Sequence, residues 1–101
     1  MKGLDESWTV YILECSDGTL YCGKTTDLAK RLEQHNSGGG KAAKYTRGRL
    51  PVKLVYWEKM MNNSLASKRE LAIKRLSRKQ KEMLINKGGG DDLFTIPALD
   101  K

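Results

Sequence analysis

The chain has 101 residues, enough for one small domain with a modest core and too few for a second module. Nineteen Lys and Arg stand against twelve Asp and Glu, a formal charge of +7, so the surface attracts a polyanion and nucleic acid is the natural partner. Residues 1–7 carry acids where a signal peptide needs an apolar core, and no later apolar run approaches a membrane span; we therefore expect a cytoplasmic monomer with no membrane partner.

The first element is a hairpin. Residues 8–15 and 19–23 are rich in β-branched and aromatic side chains and flank Ser16-Asp17-Gly18, a turn signal. Loop length sets which side chains share a face. A two-residue Asp-Gly turn would put Tyr11 and Tyr21 on opposite faces. A type I turn at Ser16-Asp17 with Gly18 left-handed pairs residue 13 with 21 and residue 11 with 23, which brings both phenols to one face. We adopt the second register. It also separates Cys15 and Cys22, so no disulfide joins them, in keeping with a reducing compartment.

Beyond Gly23, Thr26 or Asp27 caps a predicted helix running to about Asn36. Leu28, Arg31, Leu32 and His35 recur at spacings of three and four and form one inward stripe. A long cation on such a stripe is costly unless it holds an anion. The bland alternative is an Arg31 that snorkels and a His35 that merely packs.

Residues 37–49 combine glycines with Lys41, Lys44, Arg47 and Arg49 around Tyr45, and read as a mobile basic loop suited to a nucleic-acid backbone or to a solvated linker. A phosphate-cradling P-loop is excluded, because its spacing and the hydroxyl residue after the lysine are missing. Residues 51–60 are a third strand opening on Pro51, where a missing donor is tolerated. Asn62-Asn63-Ser64 supplies turn and cap for a second helix over residues 65–76. On it Ala66, Glu70 and Ile73 share a stripe, which places one carboxylate on an otherwise apolar face. Glu70 is either a buried ion-pair partner or a ligand for a hard divalent cation. Ser77 and Gln80 form a capping box for a third helix ending near Asn86-Lys87; its Arg78, Lys79 and Lys81 read equally as a solvated face or a second nucleic-acid contact. Gly88-Gly89-Gly90 then detaches a partly apolar tail, Asp91 to Lys101, which folds back or takes a protein partner.

In order and spacing these residues resemble the GIY-YIG nuclease family. The first motif, Gly-Ile-Tyr, stands here as Thr9-Val10-Tyr11, and the second, Tyr-Ile-Gly, as Tyr21-Cys22-Gly23. The likeness continues through Asp27, Leu28, Arg31, Leu32 and His35, then Lys44-Tyr45-Thr46, Arg49 and Pro51, and on to about Asn86; it is greatest to the small single-domain members. It implies an α/β (α+β) domain over residues 1–87, a three-stranded antiparallel sheet flanked by three helices in the order β-β-α-β-α-α, with residues 88–101 as linker and tail.

The resemblance further implies a metal-dependent endonuclease, acting on DNA sooner than RNA, that leaves a 5′-phosphate and a 3′-hydroxyl. In it Tyr11 orients or deprotonates the attacking water, Tyr21 and His35 assist with protons and positioning, Arg31 contacts the scissile phosphate, and Glu70 holds Mg²⁺ or Mn²⁺. Lys24 is the second cation, Gly23 admits the substrate backbone, and Lys41, Lys44, Tyr45, Arg47 and Arg49 bind nucleic acid. Thr9 and Cys22 depart from the family motifs, and only Asn86 answers to the family's late asparagine. The competing readings are a nucleic-acid-binding module of the same fold that cleaves poorly or not at all, and a docking module acting through the tail.

Overall fold

The computed structural model describes residues 7–41 and 43–88. The acidic start, residues 1–6, and the tail from residue 89 onward lie outside the described residues. Elements follow in the order β1 (Trp8–Glu14), β2 (Leu20–Thr25), α1 (Leu28–Ser37), α2 (Lys44–Arg47), β3 (Lys53–Met60), α3 (Asn63–Lys74) and α4 (Arg78–Lys87). The strands form one antiparallel sheet ordered β2-β1-β3, so β1 is central and β2 is an edge.

The hairpin takes the three-residue loop. Gly18 N–H donates to Cys15 C=O at 2.9 Å, Cys15 N–H donates to Thr19 C=O at 2.8 Å, and Gly18 has φ +86°, a value that suits glycine because it carries no Cβ. Asp17 locks the turn by accepting from the Thr19 amide and hydroxyl. Tyr11 consequently pairs with Gly23 and Leu13 with Tyr21, and the two tyrosines share a face.

Because β1 is central it is covered on both sides, and Thr9 to Leu13 are all buried. On one face Tyr11, Leu13, Cys15, Leu54 and Trp57 pack under Leu28 and Leu32 of α1 and under Leu50 and Val52. On the other, Val10, Ile12, Cys22, Val55 and Tyr56 pack under Ala66 and Ile73 of α3 and Leu84 and Ile85 of α4. A bulge in β3 makes this division possible: Ile12 pairs with Tyr56 but Leu13 with Leu54, so Val55 is the extra residue and the alternation reverses there. The two free cysteines lie in opposite layers. Each fully buried aliphatic side chain contributes about 1.5–3 kcal/mol, so the two thin layers depend on one another through β1.

The helix ends follow their capping residues. Asp27 accepts from Lys30 N–H at 3.1 Å to start α1, and Gly38 ends it in the left-handed region at φ 71°. Asn62 caps α3 through Leu65 N–H, which starts that helix two residues earlier than its apolar stripe suggests. Ser77 and Gln80 complete the expected capping box on α4.

Two features correct the sequence reading. The basic segment is not a loose loop: Lys44–Arg47 is a helical turn, α2, whose Thr46 is fully buried, so the domain has four helices among the described residues rather than three. The third strand also begins at Lys53, after a cis Leu50-Pro51 peptide, and not at Pro51. Its entrance is held by Asn36, whose amide accepts from Val52 N–H at 2.8 Å and donates to Val52 C=O at 3.0 Å, engaging backbone groups that a sheet partner would otherwise take. No helix among the described residues is long and apolar enough to cross a membrane.

Candidate active site

Tyr11 is the centre of the face covered by α1. Its phenol lies 3.1 Å from His35 Nε2, and His35 Nδ1 lies 2.9 Å from Thr46 Oγ1. Thr46 Oγ1 in turn donates to the Ala43 carbonyl at 3.1 Å. A hydroxyl has one proton, so with that proton committed Thr46 must accept from His35 Nδ1–H. His35 Nε2 is then a bare acceptor, and Tyr11 O–H donates to it. The chain Tyr11 to His35 to Thr46 to Ala43 C=O is fully directional and nearly water-free, Tyr11 being 2% exposed and His35 and Thr46 0%.

Burial sets the protonation states. It pushes Tyr11 up to about 12, with the Arg31 guanidinium pulling in the opposite direction, and it pushes His35 down to about 4, with Arg31 adding to that effect. At neutral pH both groups are uncharged, which is what the directional chain requires.

Arg31, half-buried on α1, donates through Nη1 to Gln34 Oε1 at 3.1 Å and to the Lys41 carbonyl at 2.6 Å. It therefore joins α1 to the glycine-rich segment, with its charge close enough to Tyr11 and His35 to act on both. Tyr21 packs edge-on to His35 with ring centroids 5.4 Å apart, and stacks on Tyr45 at 5.7 Å. Arg49 covers Tyr45 at 4.0 Å, bonds Asp17 at 3.1 Å and donates to the Tyr45 carbonyl at 2.7 Å. The guanidinium thus ties the basic segment to the hairpin turn, a structural engagement that the sequence reading did not assign it. Lys41, Lys44 and Arg47 are exposed around this wall, with Arg47 reaching the Gly39 carbonyl at 3.4 Å.

Gly23 has an internal reason to lack a side chain. A Cβ built there would stand 2.5 Å from Tyr11 Oη and 2.7 Å from its Cζ, so the glycine makes room for the phenol. The sequence reading had given that space to substrate.

Glu70 and Lys24 lie on the opposite face of the sheet. The Glu70 backbone carbonyl faces Cys22 Sγ at 4.0 Å, and its carboxylate pairs with Lys74 at 3.4 Å while remaining 19% exposed. Lys24 donates to Asn63 Oδ1 at 3.0 Å and stands 4.7 Å above Trp8. No hydrogen bond or ion pair among the described residues joins Glu70 to Tyr11, Tyr21, Arg31 or His35. The two groups meet at the free edge of β2, where Tyr21 points to one side and Cys22 to the other. No cluster of three or more His, Cys, Asp or Glu occurs among the described residues. A lone carboxylate of this kind suits magnesium or manganese, which keep several waters and substrate oxygens, and does not suit a closed zinc site.

Thr46 and Asn36 went unrecognised in the sequence as parts of this arrangement. Their signal is faint: a buried threonine beside a histidine is visible only once the basic segment is seen to dock.

Comparison with known proteins gives the family. Residues 7–83 match the GIY-YIG catalytic domain. A UPF0213 protein of Desulfotalea psychrophila is 54% identical over 79 residues, covering 78% of this chain and 71% of its own. A UPF0213 protein of Halobacterium salinarum is 56% identical over 75 residues, covering 74% and 95%. The solution NMR structure of a UPF0213 protein from Bacillus halodurans superimposes with TM-score 0.54 at 46% identity, covering 83% of this chain and 87% of that one. With the family motifs on adjacent strands and the match spanning most of its length, the chain belongs to the GIY-YIG catalytic-domain family.

Proposed function

We propose that the protein is a metal-dependent endonuclease that hydrolyses phosphodiester bonds in DNA, selecting branched or single-stranded substrates and serving repair or processing. Membership of a nuclease family supports hydrolysis in general; the directional Tyr11–His35–Thr46 chain beside Arg31 is the observation that carries the mechanism.

Hydrolysis needs an oriented water, charge stabilisation on the phosphate and help for the departing oxygen. Tyr11 donates its proton to His35, which leaves the phenol lone pairs to accept from the attacking water and aim it. As the water's proton passes to the phenol oxygen, the phenol's own proton leaves along the same bond to His35 Nε2. In the resting site the two groups are far apart in acidity and the proton stays on Tyr11. An incoming phosphate anion raises His35, and cations beside the phenol lower Tyr11, so substrate itself makes the transfer easier. Arg31 contacts the scissile phosphate, and the exposed Lys41, Lys44 and Arg47 hold the flanking backbone. Glu70 holds the divalent cation, which when bound neutralises charge on the leaving oxygen. A 5′-phosphate and a 3′-hydroxyl result.

The test is cleavage of single-stranded, duplex, flapped and branched DNAs with magnesium or manganese by the parent, Arg31→Ala and Glu70→Gln. Both variants lose most turnover, and Glu70→Gln still binds DNA. No cleavage by any form, with binding intact, would overturn the enzyme in favour of a binding module.

A further inference from the structure

A cavity of about 230 Å³ opens at the free edge of β2, next to Tyr21. Leu20 and Cys22 form its floor, Tyr21 and Tyr45 its wall, and Lys74 of α3 and Lys81 of α4 its rim. It adjoins the phenols on one side and the Glu70–Lys74 pair on the other. The neighbouring cavity between the hairpin and α4 offers no such chemistry, since its Arg78 is already committed to Glu82 and to the Gly18 carbonyl, each at 2.7 Å.

The lining selects a ligand. An apolar floor and the exposed side of the stacked Tyr21–Tyr45 pair accept a flat, apolar-faced group, and two ammonium groups at the rim, Lys74 shared with Glu70 at 3.4 Å, accept an anion attached to it. The cavity is smaller than the roughly 300 Å³ at which pockets for drug-sized ligands begin, so it takes one heterocycle and not a base pair. Its floor offers little to read a base by: the Cys22 thiol is turned to the Glu70 carbonyl.

We propose that this cavity is a subsite for one unpaired nucleobase of the substrate strand, the nucleotide flanking the cleaved bond, with its phosphate on Lys74 and Lys81. The proposal rests on the nuclease reading above and adds a requirement to it: one nucleotide leaves the stack whatever its identity. Of the basic residues on α4, Lys81 is thereby a substrate contact, whereas Arg78 is a structural one.

Binding without turnover separates this claim from catalysis. The full chain is titrated, with calcium in place of magnesium, into labelled single-stranded oligonucleotides in which an abasic residue is moved one position at a time. An abasic residue at one position weakens binding about tenfold, the loss expected for one stacked base, and swapping the four bases there changes affinity little. Leu20→Trp fills the cavity, weakens the intact oligonucleotide by a similar factor and flattens the scan. Lys81→Ala, a surface change that leaves folding intact, lowers affinity and reduces the salt slope by about one while the position-specific loss persists. A flat scan in the parent with binding intact overturns the subsite and leaves the nuclease reading standing. A position-specific loss in a protein that never cleaves does the reverse, and failure to bind any oligonucleotide overturns both.

Discussion

Gly23→Ala is the sharpest probe of the site's internal logic. The new Cβ would lie 2.5 Å from Tyr11 Oη, so reaching ordinary carbon–oxygen contact near 3.4 Å moves the phenol by roughly 0.9 Å. Such a shift opens the 3.1 Å bond to His35 and leaves Nε2 buried without a donor. Overpacking costs about 1–3 kcal/mol and the orphaned acceptor about 1–3 more, so the variant loses roughly 2–6 kcal/mol. For a domain of this size that lowers Tm by at least about 8 °C, and a displacement near 1 Å at the phenol costs on the order of 100-fold in turnover. Thermal denaturation and DNA cleavage measure the two effects. A double-mutant cycle then isolates the cause: in a Tyr11→Leu background, already inactive, the same glycine change costs less than about 1 kcal/mol, because the atoms it would strike are gone. Parent-like Tm and activity in Gly23→Ala, or an equal penalty in both backgrounds, would refute the account.

The buried His35 makes stability pH-dependent with a definite sign. Its folded value near 4 lies below the ordinary 6.5, so the unfolded chain binds more protons between those values; this contribution is full above about pH 6.5 and falls by up to about 3 kcal/mol as pH drops through 4, which urea titrations from pH 4 to 8 measure against a flat His35→Gln control. Thr46→Val strands the His35 Nδ1–H and costs about 1–3 kcal/mol together with most activity, whereas Thr46→Ser keeps both; equal behaviour of the two variants in denaturation and cleavage assays would contradict the assigned tautomer. Lys44→Ala lowers the log–log salt slope of DNA affinity by about one, while Arg49→Ala leaves the slope alone and lowers Tm, because that guanidinium is held by Asp17 and stacked on Tyr45.

Local chemistry made most of the fold legible. The Ser16-Asp17-Gly18 turn set the register that puts Tyr11 and Tyr21 on one face, and Asp27, Asn62 and Ser77 marked the helix starts. What escaped depends on contacts between distant segments. Four residues of helix at 44–47 are too short to declare a period, and their stability comes from Thr46 meeting a histidine 11 positions earlier. The bulge at Val55 leaves no signature, because Leu54, Val55, Tyr56 and Trp57 form a continuous apolar run in which no alternation is visible to reverse. Glu70 was read correctly as lying on an inward stripe, yet the stripe faces the other side of the sheet from the tyrosines, and sheet order decides that.

That separation has a consequence for how the site works. The Tyr11–His35–Thr46 chain is complete without any ligand: its members are buried, neutral and mutually satisfied. The charged groups are engaged as well, but less deeply buried: Arg31 donates to Gln34 and to a backbone carbonyl, and Glu70 is paired with Lys74. The edge strand β2 separates the side that carries Tyr11, His35 and Arg31 from the side that carries Glu70 and Lys74, and its alternation presents Tyr21 to one and Cys22 to the other. Under the proposed nuclease function, a phosphate group lying across that edge would take Arg31 and Lys74 from their present partners and would share a cation with Glu70. On that proposal the arrangement of the charged groups is tied to substrate, while the Tyr11–His35–Thr46 geometry is fixed by folding.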